Sequence, residues 1–258
     1  MSDHAVIVGI NQYARPNGLR GCVADALAWR AFLLARGWSG DTIKMLLDHD
    51  ATAAPIRRAL EQMVGGAAPE DRLMFCFSGH GAQLVEGQAA TDCICPIDFD
   101  WTAERALDVG DFVALLGQIP RDVAAVAVFD SCHSGGIGGD SSKALRVLHR
   151  RIPRTMNPDR EVPAVRTFAG TQLPRVGVVT ACRSEQTADD TVIGGRPCGA
   201  FSHYLLRELE APRAGEIALA GLIGLAGKAL HGAGYAQEPQ TSGPAEILAV
   251  PFLAEVCT

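Results

Sequence analysis

Three unbroken apolar runs, at residues 5–10, 73–77 and 123–129, and a fourth at 176–181 interrupted only by Thr180, do most to limit what this chain can fold into. A strand with one wetted face alternates polar and apolar residues, whereas a strand buried on both faces does not. These runs therefore read as central strands of a parallel sheet. Segments with helical spacing separate them. Residues 22–36 carry Val23, Ala26, Leu27, Arg30, Ala31 and Leu34 at helical intervals and stop at Gly37. Residues 43–47 read as a further strand, and Thr52 stands where it would cap a helix running to Val64, ahead of Gly65-Gly66. A short helix is expected at 111–116, longer ones at 199–209 and 216–230, and an edge strand at 246–250. Strands alternating with helices predict an α/β fold of three layers, with helices flanking a mostly parallel central sheet. No repeat or second domain is visible, so residues 1–258 are read as a single domain.

Composition removes several classes of function. The net charge of −6 argues against binding nucleic acid and offers no attraction to an anionic membrane. The longest helical apolar segment, 217–226, is too short to span a bilayer and contains two glycines. The first residues lack the basic start of a secretory signal, and the apolar stretch after them breaks at Asn11. Eight cysteines without such a signal read as reduced thiols, which suggests a cytoplasmic protein.

The chemistry sits where two of the apolar runs end. Ser78-Gly79-His80-Gly81 follows one, and Asp130-Ser131-Cys132-His133-Ser134-Gly135 follows another. In open parallel sheets, function gathers beyond the carboxyl ends of the strands. A histidine and a cysteine placed there are the parts of a base and a thiol nucleophile. Their unperturbed pKa values, ~6.5 and ~8.5, let a close pair hold useful thiolate at neutral pH. His80 is the better partner for Cys132, because His133 is its immediate neighbour and points to the opposite side of an extended segment. Plainer readings stand beside this one: a buried cysteine as a small core hydrophobe, and a histidine as an ordinary loop residue. A zinc site of Cys93, Cys95, Cys132 and His133 lacks the two separated ligand pairs that structural zinc favours.

The separation of 52 positions from His80 to Cys132 matches a caspase spacing, and the local words resemble the metacaspase branch of the caspase-like cysteine peptidases. The resemblance extends over Gly9-Ile10-Asn11 with Tyr13, over Leu19, Gly21-Cys22 and Asp25-Ala26, and over the two motifs above. It continues through residues 180–188 and Gly199-Ala200-Phe201-Ser202 to Pro239-Gln240, and so covers nearly the whole chain. It implies a caspase-like fold of the single-domain prokaryotic type, and a cysteine endopeptidase with Cys132 as nucleophile and His80 as base. It also implies an oxyanion hole made by the N–H groups of Gly81 and Cys132. Cys22, Asp25, Ser78 and Asp130 would line the pocket for the side chain preceding the cleaved bond. Two carboxylates there favour a cation, arginine above all and lysine beside it.

One stretch has no convincing periodicity. Residues 136–175 are rich in glycine and proline, and loops longer than ~15 residues are usually functional or disordered. Arg146, Arg150, Arg151, Arg154, Arg160 and Arg166 lie within it, so it reads as a processing segment for the enzyme itself or for an upstream activating protease. A solvated surface loop is the plainer alternative. The family resemblance also raises calcium, with Asp92, Asp98, Asp108, Asp111 and Asp140 as oxygen donors. Yet Val109-Gly110 stands where the family often has an adjacent acidic pair. No cofactor is therefore required, and a solvated acidic surface is the simpler account. The expected partners are protein or peptide substrates, with neither nucleic acid nor membrane. The rival is a catalytically silent caspase-like interaction module, which would not need His80, Cys132, Asp25 and Asp130 together. A latent protease in a signalling or defence cascade would share the chemistry and differ in role.

Overall fold

The apolar runs form the strands that their sequence predicts. The structure, a computed structural model, describes residues 2–14, 16–86, 89–120, 122–131, 144–145, 165–168, 170, 173, 175–183 and 186–254. The first half contains β1 (Asp3–Gly9), α1 (Cys22–Ala35), β2 (Ile43–Leu47), α2 (Ala53–Gly65) and β3 (Arg72–Ser78). Next come β4 (Gly81–Glu86), β5 (Ala89–Ile94), β6 (Leu107–Asp108), α3 (Val109–Leu116) and β7 (Ala124–Asp130). Two short strands follow, β8 (Ala144–Leu145) and β9 (Val165–Arg166). The chain then forms β10 (Val176–Thr180), β11 (Asp189–Ile193), β12 (Arg196–Gly199), α4 (Ala200–Glu210), α5 (Leu219–Gly232), β13 (Gln240–Ser242) and α6 (Ala245–Leu248).

The main sheet runs β13-β10-β7-β3-β1-β2. All of its pairings are parallel except that of β13 with β10. Alternate strand residues supply opposite faces. Leu73, Phe75 and Phe77 of β3 join Val6, Val8, Ala125, Ala127 and Phe129 in a core that includes Ile56 and Leu60 of α2 and Phe112 and Leu116 of α3. Met74 and Cys76 join Ala5, Ile7, Val126 and Val128 on the other face, with α1, α4 and α5. Phe129 stacks on Phe168 with ring centroids 4.2 Å apart, and burying each such ring contributes about 1.5–3 kcal/mol. This is the expected α/β architecture, a mostly parallel sheet between helices. Among the described residues, no helix is long and apolar enough to cross a membrane.

Register decides where the site falls. Gly9 pairs with Ser78, and Ser78 pairs with Asp130, so β1, β3 and β7 end level. His80 leaves one of these ends two residues on, and Cys132 follows the other at the same interval.

Several local expectations are corrected. Residues 246–250 are not an edge strand, because Gly243 at φ +136° and Pro244 break the chain there and a turn of helix follows. The edge position belongs instead to β13, just upstream. Thr52 is the N-cap of α2, but its side chain makes no capping bond; the Ala53 N–H donates to Asp98 Oδ1 at 2.9 Å. The expected helix from 216 starts at Leu219, after a separate 3-10 turn at Ala214–Glu216. The stretch 136–175 is not strand-free, since β8 pairs with β11 and β9 with β5. Arg166, expected in an open loop, lies on β9 opposite Thr91. Two hairpins were not expected. In β11–β12 the turn is Gly194-Gly195, both at positive φ, the pairing that a two-residue hairpin loop demands.

Candidate active site

His80, the expected base, is fixed from three sides. Its backbone carbonyl accepts the Cys95 N–H at 2.9 Å. Its N–H donates to the Tyr13 hydroxyl at 3.0 Å, and the imidazole lies 4.5 Å from the Tyr13 ring. Nε2 stands 2.6 Å from the backbone carbonyl of Asn17. A carbonyl can only accept, so Nε2 carries the proton and Nδ1 becomes the basic nitrogen. His80 is buried, which shields this arrangement from competing water. Gly81, the expected oxyanion residue, is the first residue of β4 and pairs with Ile94. Cys132 lies outside the described residues, as do His133, Arg146, Arg150, Arg151, Arg154, Arg160 and Asp140. The chain is described up to Ser131, which is buried one residue past β7.

Three of the four expected pocket residues, Asp25, Ser78 and Asp130, converge on one helix terminus. Asp25, on α1, accepts the Gly199 N–H at 2.9 and 3.0 Å and the Ser78 hydroxyl at 2.8 Å. Asp130 Oδ2 accepts the Ser202 N–H at 3.1 Å and its hydroxyl at 2.6 Å. Gly199 is the N-cap of α4 and has no side chain to cap with, so carboxylates from α1 and β7 take that part. The positive end of α4 in turn offsets their charge. Asp25 and Asp130 are 2% and 0% exposed, a burial that unpartnered carboxylates do not tolerate. Ser78 and Asp130 are register partners, so their side chains share a face of the sheet. Cys22 is buried at the start of α1, one turn before Asp25, with its N–H held by Asn11 Oδ1 at 2.9 Å.

Sequence reasoning gave no role to several residues of this site, although Tyr13, Gly199 and Ser202 stand within the words that carry the resemblance. Tyr13 and Asn17 hold His80, and Gly199 and Ser202 hold the two carboxylates. Asp190 accepts the Arg20 and Gly21 N–H groups, each at 2.8 Å, and so anchors the entry to α1. Gly21 is required there, because a Cβ would stand 2.5 Å from the Cys198 carbonyl carbon. Asp189 and Asp190 open β11, and that acidic pair was the available signal.

Four of the five acidic residues considered for calcium are described, and they do not form one donor set. Asp98 holds the start of α2. Asp108 and Asp111 cap α3 reciprocally, and Asp111 also pairs with Arg57 at 2.6 Å. Asp92 accepts Gln83 Nε2 at 2.9 Å and the Phe168 N–H at 3.3 Å. Burial raises its pKa to about 7 against the lowering effect of those two bonds. Among the described residues, no group of three His, Cys, Asp or Glu is arranged to hold a metal. The described half of the zinc alternative is a pair of free, buried thiols, Cys93 and Cys95. Burial, and secondarily Cys93, push the Cys95 thiol well up.

The family model described as "Metacaspase, peptidase C14 domain" matches residues 3–138. Metacaspase-6 of Arabidopsis thaliana is 29% identical over 211 residues, which cover 75% of this chain and 56% of that protein. Metacaspase-1 of Scheffersomyces stipitis is 26% identical over 289 residues, covering 92% of this chain and 70% of the relative. Metacaspase-1 of Mycosarcoma maydis is 34% identical over 142 residues, covering 51% and 35% respectively. The chain thus spans between 35% and 70% of the length of these three relatives. A crystal structure of protein GSU0716 from Geobacter sulfurreducens shares the fold, with a TM-score of 0.68, 19% identity and full coverage of both chains.

Proposed function

Since the chain belongs to the metacaspases, we propose that it is a cysteine endopeptidase that cuts after arginine and, beside it, lysine. Cys132 gives its proton to His80 Nδ1 and attacks the scissile carbonyl. The tetrahedral oxyanion is received by the N–H groups of Gly81 and Cys132. His80 then protonates the leaving amine, and water releases the acyl group by the same route in reverse. The thiol and the imidazole together carry every proton, so the reaction needs no cofactor, and no step is routed through calcium. Free thiols suit a cytoplasmic setting.

The observation that carries this reading is the pair of buried carboxylates, Asp25 and Asp130, held beside the level ends of β3 and β7. A guanidinium entering there would meet two anionic acceptors and the Ser78 hydroxyl, a set that matches its planar fork and repels an acidic side chain. Latency also has a structural support. β8 and β9 flank the arginines from 146 to 160 and are tied to β11 and β5. A cut between them leaves both new ends anchored, so the two pieces would remain together.

The test of the dyad is the set Cys132→Ala, His80→Ala and the double variant. Each single change should abolish peptide hydrolysis with folding intact, and the double should be little worse, since losses within one shared mechanism do not add. Turnover by Cys132→Ala would remove the nucleophile assignment, whereas a folded wild type that hydrolyses no peptide would leave a non-catalytic module as the better account.

A further inference from the structure

The β4–β5 ladder ends in a rung that a distant side chain holds open. Gly81 pairs with Ile94 and Ala82 with Cys93, so the next pair outward is His80 with Cys95. Alternate pairs of an antiparallel ladder exchange two backbone hydrogen bonds. This pair makes one of them directly, from the Cys95 N–H to the His80 carbonyl at 2.9 Å. The other is relayed: the His80 N–H donates to Tyr13 Oη at 3.0 Å, and that hydroxyl donates to the Cys95 carbonyl at 2.8 Å. Two bonds in series span more than a single N–H···O contact of about 2.9 Å. His80 is thereby swung away from Cys95 on its amino side, the side that leads back to β3. Gly79 makes room, since a Cβ there would stand 2.6 Å from Tyr13 Oη. Tyr13 and Asn17 belong to one segment, tied to itself by the Leu19 N–H on the Asn11 carbonyl at 2.9 Å. That segment therefore grips both the backbone and the ring of His80.

We propose that Tyr13 is a positioning residue, whose hydroxyl acts as a wedge that sets the backbone of His80 and hence the aim of Nδ1. The inference rests on His80 being the base. In Tyr13→Phe the ring contact remains, and the His80 N–H can close onto the Cys95 carbonyl, so the polar groups stay satisfied. The imidazole is then displaced from the nucleophile. Small misplacements of reacting groups cost up to ~100-fold in rate. We expect kcat to fall about 10- to 100-fold with KM nearly unchanged, because no pocket residue is touched. A thiolate with a poorer imidazolium partner is harder to form. The acidic limb of kcat/KM against pH should therefore move to higher pH, and iodoacetamide should label Cys132 more slowly at pH 7, read by peptide mass spectrometry.

A Tyr13 that merely supported the fold would lower the melting temperature and leave the pH limb and the labelling rate of folded protein in place. Should Tyr13→Phe fail to fold, Gly79→Ala, whose methyl displaces the hydroxyl, is measured in the same way. A folded variant with wild-type kcat, pH limb and labelling rate overturns the proposal. Full turnover by His80→Ala is a different result, and it would remove the base assignment on which the proposal stands.

Discussion

Asp130→Asn separates the charge of the pocket from the structural role of the same side chain. Oδ2 accepts two bonds from Ser202, and the group is fully buried. Asparagine is isosteric and keeps a carbonyl oxygen for Ser202, so the start of α4 stays capped and the change removes mainly the charge. Alanine would also leave the Ser202 N–H and O–H donors without their acceptor, at about 1–3 kcal/mol for each buried group left unsatisfied. For binding, removing one partner of a buried, hydrogen-bonded charge pair costs about 2–5 kcal/mol. At 1.36 kcal/mol per decade, that is roughly 30- to 5,000-fold in kcat/KM for a peptide with arginine before the cleaved bond. Citrulline has nearly the shape of arginine and no charge, so its peptide should lose much less. The assay is hydrolysis of matched arginine and citrulline fluorogenic peptides by wild type and Asp130→Asn, with melting temperatures recorded alongside. Equal losses on the two peptides would refute the electrostatic argument and leave Asp130 as a helix cap alone.

Asp92 should make stability depend on pH. Its folded pKa lies at about 7, above the ordinary 3.8. Its contribution is therefore fully present below pH 3.8 and is lost as pH rises through about 7. The melting temperature of Asp92→Asn should decline less than that of wild type across that window, and parallel curves would contradict the assignment. The loop arginines should be sites of processing: intact mass followed over time should show wild type cut between 146 and 160, and both Cys132→Ala and a variant with those arginines changed to glutamine left whole. A wild type that stays uncut and fully active would show that the segment has no part in activation.

Much of this fold was legible because burial on both faces leaves an unmistakable trace. The runs at 73–77 and 123–129 contain no polar residue and became β3 and β7. Elements with weaker traces were lost. β5 contains Thr91 and Asp92 in a short strand, and the two-residue strands β8 and β9 have no period to read. At 246–250, β-forming residues were outweighed by the backbone of Gly243 and Pro244. In the site, Asp25, Ser78, His80 and Asp130 were legible through motif and position. Their supports were not, because the bonds from Ser202 to Asp130 and from His80 Nε2 to the Asn17 carbonyl join residues far apart in sequence, the second through a backbone atom that carries no side-chain signature.

The central claim is a Cys132-dependent cut after basic residues, and the most direct measurement is a cleavage profile of a diverse peptide library with wild type and Cys132→Ala side by side. The account predicts arginine first and lysine second at the position before the cut, with no cleavage by Cys132→Ala. Preference for aspartate, indifference to charge, or an unchanged profile from Cys132→Ala would contradict it.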